Sequence, residues 1–142
     1  REIEVAVLGH HSPEASVPGE ILPHHEFYDY EAKYLDGETE LLIPAPIGED
    51  ENRDLRAMAL EAFRVVEASG MARVDFLLDR ESGKPYLNEL KSLPGFTNRS
   101  MYARLWEASG LPYPELLSRL IELALERREN RSRFPSALRS MS

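Results

Sequence analysis

The segment Met71-Ala72-Arg73-Val74-Asp75-Phe76-Leu77-Leu78-Asp79-Arg80-Glu81-Ser82-Gly83-Lys84-Pro85-Tyr86-Leu87-Asn88-Glu89-Leu90-Lys91 decides how this chain folds. Up to Asp79, Ala72, Val74, Phe76 and Leu78 alternate with Arg73 and Asp75, the period of a strand with one face on a core. Arg80 to Gly83 supplies a turn, and Tyr86 to Leu90 returns as the partner strand. Folded symmetrically about Ser82, this hairpin sets Asp75 across from Glu89 and Arg73 across from Lys91, on the face opposite Val74 and Phe76. Facing carboxylates repel unless a cation lies between them, and Mg²⁺ accepts one or two carboxylates together with substrate phosphates. From the pattern alone, the four charges serve equally as a solvated salt-bridge ladder.

Outward from the hairpin, Asp50 to Ser69 carries Leu55, Met58, Ala59, Ala62, Val65 and Val66 at helical spacing, with acids at its start and Gly70 beyond its end. Arg1 to Leu8 alternates through Ile3, Val5 and Val7, a strand, and Gly9, Pro13, Pro18 and Gly19 punctuate a loop over His10 to Pro18. Short strands are expected at Glu20 to Leu22 and Thr39 to Ile43, with a partly packed loop over Phe27 to Asp36 between them. Two further helices, Asn98 to Ser109 and Pro114 to Arg128, follow from Gly110 after the first and Pro114 in the first turn of the second. The second should bury Leu116, Leu117, Leu120, Ile121 and Ala124. Residues 1–129 form one expected domain, and the aperiodic Arg- and Ser-rich stretch 130–142 reads as a flexible tail.

Bulk properties narrow the function. A net charge of −8 repels nucleic acid, so a bound phosphate must be met by a few local cations or a metal. The absence of cysteine removes thiolate chemistry and disulfides and favours the cytoplasm. No apolar run nears the ~18 residues of a membrane span, so no membrane partner is expected. The chain opens at Arg1 without an initiator methionine and enters a strand at once, which implies a preceding segment. His10-His11 and His24-His25 lack a helix to fix their spacing and read as solvated rather than zinc-binding, and Tyr102 and Trp106 read as core.

Ala72-Arg73-Val74-Asp75-Phe76 together with Asn88-Glu89-Leu90-Lys91-Ser92-Leu93-Pro94-Gly95-Phe96-Thr97 and Ser100-Met101-Tyr102 resembles the large ATP-grasp subdomain of the D-alanine:D-alanine ligases. The resemblance extends over Phe27 to Tyr34 and Arg104 to Leu125. It implies an ATP- and Mg²⁺- (or Mn²⁺-) dependent ligation of two D-alanines through an acyl phosphate, for peptidoglycan precursors. By the same resemblance, Arg73 contacts the transferred phosphate and the developing oxyanion, and Asp75 and Glu89 are the magnesium carboxylates. The Gly95 N–H stabilises the tetrahedral oxyanion, whereas read alone Pro94-Gly95 is equally a tight turn. Ser100 and the Met101 backbone would hold the incoming D-alanine carboxylate, and Ser100 read alone is a helix cap. Lys33 near phosphate and Tyr34 near the second substrate would belong to a loop that closes over the site, and Glu2 would meet the nucleotide.

Lys91 departs from the family, which carries there an asparagine whose oxygen serves a second magnesium. A charged lysine cannot ligate a metal; its ammonium would repel Mg²⁺ or take the second-metal position and neutralise Glu89. The resemblance further implies an α+β fold with a mostly antiparallel sheet and helices packed mainly on one face, the other face left for nucleotide and metal. Implied partners are D-alanine, ATP, the missing N-terminal portion of the ligase and, for the complete enzyme, a second copy in a homodimer. The isolated chain is expected to turn over little. Another ATP-grasp carboxylate:amine ligase, or a non-catalytic remnant, remains an alternative reading.

Overall fold

A computed structural model describes residues 1–22 and 40–133 of the chain. Among these, the strands β1 (Glu2–Gly9), β2 (Glu14–Ala15), β3 (Gly19–Leu22), β4 (Glu40–Leu42), β5 (Gly70–Leu78) and β6 (Pro85–Lys91) form one sheet. Its order is β4-β3-β1-β5-β6, with β2 joined to β1, and every pairing is antiparallel. Helices α1 (Glu49–Val65), α2 (Met101–Ala108) and α3 (Tyr113–Arg133) pack on it, so the architecture is α+β as expected.

Central strand β1 is buried on both faces. Ile3, Val5 and Val7 join Val74, Phe76 and Ala72 of β5 in a core closed by Leu55, Ala59 and Phe63 of α1. Ala6 and Leu8, pointing the other way, pack with Met101, Tyr102 and Leu105 of α2 and Leu116 and Leu123 of α3. Helices therefore occupy both faces, α1 one and α2 with α3 the other. The charged residues of β1 and β5 share their face with α2 and α3, displaced along the strands, rather than having a helix-free face of their own. The physical reason lies in the alternation of β1: Glu2, Glu4, Ala6 and Leu8 line one face, acidic at one end and apolar at the other.

Several element boundaries move. β2 sits inside the expected loop 10–18, its Ala15 paired with Val7. α1 stops at Val65, four residues early, because Glu67 takes a left-handed φ of 53° and the Glu67 and Ala68 N–H groups donate back to the Arg64 and Phe63 carbonyls. Val65 and Val66 are consequently 75% and 57% exposed, and Phe63 fills the place they were expected to share. Gly110, with φ of 91°, ends α2 by the same pattern of back-bonding, where a glycine was read as the stop. α3 begins at Tyr113 and continues through Arg133, so the boundary expected at residue 129 falls inside a helix. It buries Leu116 and Leu123, while Leu117, Ile121 and Ala124 are exposed. No helix of the described residues is long and apolar enough to cross a membrane.

Candidate active site

The hairpin folds in the expected register near its open end: Arg73 pairs with Lys91 and Asp75 with Glu89. A bulge follows, so Phe76 pairs with Leu87 and Asn88 is the extra residue. On its other side β5 pairs with β1, which sets Glu4 directly across from Asp75. Glu4, Asp75 and Glu89 thus stand in a row across three strands.

Arg73 organises this row. Its Nε donates to Asp75 Oδ1 and its Nη2 to Asp75 Oδ2, both at 2.8 Å, the bidentate geometry that suits a planar guanidinium. Nη2 also lies 2.8 Å from Glu4 Oε1. Nη1 carries no hydrogen bond among the described residues, which leaves a donor for an arriving anion. Asp75 is 0% exposed and Glu4 is 1% exposed, so both carboxyls depend on this cation. Lys91 continues the chain of charges, with Nζ at 2.7 Å from Glu89 Oε1 and 3.5 Å from Asp75 Oδ2.

Burial, reinforced by the negative charge of Asp75, pushes the Glu4 carboxyl up to about 8 in spite of Arg73. Desolvation works against the Lys91 ammonium, but its hydrogen bond to Glu89 and the field of Asp75 outweigh it, and its pKa is raised. Glu4 Oε2 is buried without a hydrogen-bond partner among the described residues. Carboxylate oxygens of Glu2, Glu4 and Asp75 lie within 4.8 Å of one another. An all-oxygen donor set, a buried oxygen with no partner and an excess of acids over bases together fit a hard divalent cation.

Glu4 was missed at the sequence level. Its signal was a glutamate between Ile3 and Val5 in a strand otherwise apolar, but only the β1–β5 register shows that it meets Asp75. Glu2, expected near a nucleotide, lies beside it in the carboxylate group.

The loop from β6 to α2 is held by buried Pro94 and by Phe96, whose ring stands 6.0 Å from that of Tyr102 and 5.6 Å from that of Tyr113. Gly95 between them is exposed, and nothing among the described residues would lie within 4 Å of an added Cβ. Ser100 occupies the N-cap of α2 but does not cap it: its hydroxyl donates to the Thr97 carbonyl at 2.8 Å and accepts from the Thr97 N–H at 3.3 Å. With no acid in the first turn either, the positive end of α2 gets no compensation from the helix's own first residues. The Met101 side chain is buried in the core, leaving its backbone for any role at this end.

Lys33 and Tyr34 lie outside the described residues, as do His24 and His25. His10 bonds Ser69 through Nδ1 at 2.9 Å and stacks near His11, and neither joins a group of potential metal ligands among the described residues. Tyr102 and Trp106 are core residues, the Tyr102 hydroxyl donating to the Val7 carbonyl at 2.9 Å.

Residues 1–122 match the family described as D-ala D-ala ligase C-terminus. The D-alanine--D-alanine ligase of Heliobacterium modesticaldum is 57% identical over 94% of this chain and 36% of the relative, and that of Geobacillus kaustophilus is 54% identical over 92% and 35%. The D-alanine-D-alanine ligase structure from Coxiella burnetii superposes with a TM-score of 0.81 at 43% identity, covering 94% of this chain and 34% of that one. The VanG D-Ala:D-Ser ligase of Enterococcus faecalis gives 0.75 at 30% identity over 86% and 35%. The chain spans about a third of the length of the curated relatives it matches. With an ATP-grasp-type α+β fold, a match over residues 1–122 and more than half of its residues identical to a named ligase, this chain belongs to the D-alanine:D-alanine ligase C-terminal family.

Proposed function

We propose that this chain is the catalytic carboxy-terminal portion of a cytoplasmic, homodimeric, ATP-dependent ligase that joins two D-alanines into D-alanyl-D-alanine. The observation that carries this reading is Arg73: a guanidinium fixed by two buried acids from adjacent strands, with Nη1 making no hydrogen bond among the described residues. A cation so held loses little entropy on meeting an anion, which suits it to phosphate and to the charge that develops on an acyl carbon under attack.

Asp75 and Glu89 would hold Mg²⁺, or Mn²⁺ in its place, with Glu2 adding to the negative field. When bound, the ion supplies neutralisation of ATP phosphate oxygens and of the acyl phosphate. The chain's own residues do the remainder. Arg73 orients the transferred phosphoryl group. The N–H of Gly95, an exposed residue, would donate to the developing oxyanion. The Ser100 hydroxyl and the Met101 backbone, at the start of α2, receive the acceptor's carboxylate. Lys33 would serve the phosphate and Tyr34 the second substrate, the roles their resemblance to the family implies, and Glu2 would meet the nucleotide. The amine of the second D-alanine attacks the acyl carbon, and phosphate leaves from the tetrahedral intermediate.

The N-terminal two-thirds of a relative, mixed with this chain, supplies the test. Phosphate release should require D-alanine, ATP and Mg²⁺, and should fall at least about 100-fold with Arg73→Ala. Running D-serine as acceptor beside D-alanine separates the two acceptor classes. A mixture that assembles yet releases phosphate no faster than the N-terminal part alone would sink the reading.

A further inference from the structure

We propose that Lys91 is a resident counter-ion of the Asp75–Glu89 pair that competes with a divalent cation, so that this chain binds divalent metal more weakly than its acids alone would. The inference rests on the reading of those acids as a cation site and adds how its affinity is set.

Two cations serve the acidic row, and they are not equivalent. The Arg73 side chain is 14% exposed and pairs with two buried carboxyls at once. Removing it would strand both, so it is part of the folded structure and no ion can displace it. The Lys91 side chain is 35% exposed, and its closest partner, Glu89, is 47% exposed. Glu89 does not need a counter-ion in order to fold, because water reaches it. Asp75 already has both oxygens bound by Arg73, and Lys91 adds only a 3.5 Å contact to one of them.

The lysine therefore does little for the fold. What it does is place a positive charge between facing carboxylates, where a metal ion would sit. A compact ammonium on a flexible stem can swing out, unlike the guanidinium beside it. A divalent ion must then displace Lys91 from Glu89 or bind against its charge, and either lowers affinity.

Mn²⁺ binding to the full 142-residue chain tests this, read from the loss of the free-ion electron paramagnetic resonance signal. Lys91→Met keeps the stem length and removes the charge, and should bind Mn²⁺ about tenfold or more tightly than the unchanged chain. Lys91→Arg should show no gain, and adding Glu89→Gln to Lys91→Met should abolish it. A gain in Lys91→Asn without one in Lys91→Met would overturn the inference, because the benefit would then come from a new ligand oxygen. Equal binding by all variants would overturn it and leave the cation site standing. Failure of every variant to bind at millimolar Mn²⁺ would overturn both. Thermal melts on each protein confirm that the comparison is between folded chains.

Discussion

Glu4 and Arg73, on neighbouring strands β1 and β5, meet at 2.8 Å beneath a surface that leaves Glu4 only 1% exposed. Antiparallel pairing puts Glu4 opposite Asp75, so one guanidinium two residues away serves both acids. The pair is a cost to the fold as much as a support, because water that would solvate Glu4 is excluded and its second oxygen has no partner among the described residues. Such an arrangement persists where a fixed, charged group is useful to something that arrives later.

Replacing Glu4 changes how stability depends on pH. Its folded pKa, pushed by burial and by Asp75 to about 8, lies above the ordinary value of 4.5. The folded state therefore favours the protonated carboxyl; that contribution is complete below pH 4.5 and is lost as pH rises through about 8. Glu4→Gln stays neutral throughout. From pH 5 to pH 9 its unfolding free energy should improve relative to the unchanged chain by about 1–3 kcal/mol. Urea unfolding at both ends of the range measures this, and a constant difference would contradict it.

Arg73→Met should destabilise the chain by about 3–5 kcal/mol, since it strands two buried carboxyls. Combining it with Glu4→Gln and Asp75→Asn should restore most of the loss, because the neutral amides no longer need the cation. Non-additivity of this kind appears directly in a cycle of denaturation midpoints. If the triple variant is no better than Arg73→Met, charge was not the cause.

At the end of α1, Glu67→Gly should raise stability by about 0.5–1 kcal/mol, because a glutamate at φ 53° pays a steric penalty that glycine does not. A higher melting temperature with unchanged far-ultraviolet dichroism is the expected record.

Gly9→Ala should act in the opposite sense. At φ of 139°, a new Cβ would stand 2.7 Å from the Cα of Pro13, a backbone atom that cannot swing away. The loss should be about 1–3 kcal/mol, measured by chemical denaturation. A neutral result would mean that the β1–β2 turn rearranges easily.

Much of the fold could be read along the chain. Alternation in 71–79 and the turn at 80–83 gave the hairpin and the correct opposition of Asp75 to Glu89, since a two-residue period and a short turn leave few registers. The ends of helices were less legible. Glu67 in a left-handed conformation has no composition cue, whereas Gly110 announced itself. Leu117 and Ile121 on α3 are apolar yet exposed, because spacing marks a stripe but only packing selects which part of it is covered.

The amino-acid order alone determined the longer strands, the amphipathic helices, the hairpin register as far as Asp75 opposite Glu89 and the chemical kinds of residue gathered near it, because these depend on neighbours a few positions apart. Tertiary structure alone decided that Glu4 faces Asp75 across β1 and β5, that α2 and α3 share the charged face, and that Lys91 lies between two acids. Those relations join residues distant in sequence, and they follow from strand order and burial rather than from any local pattern.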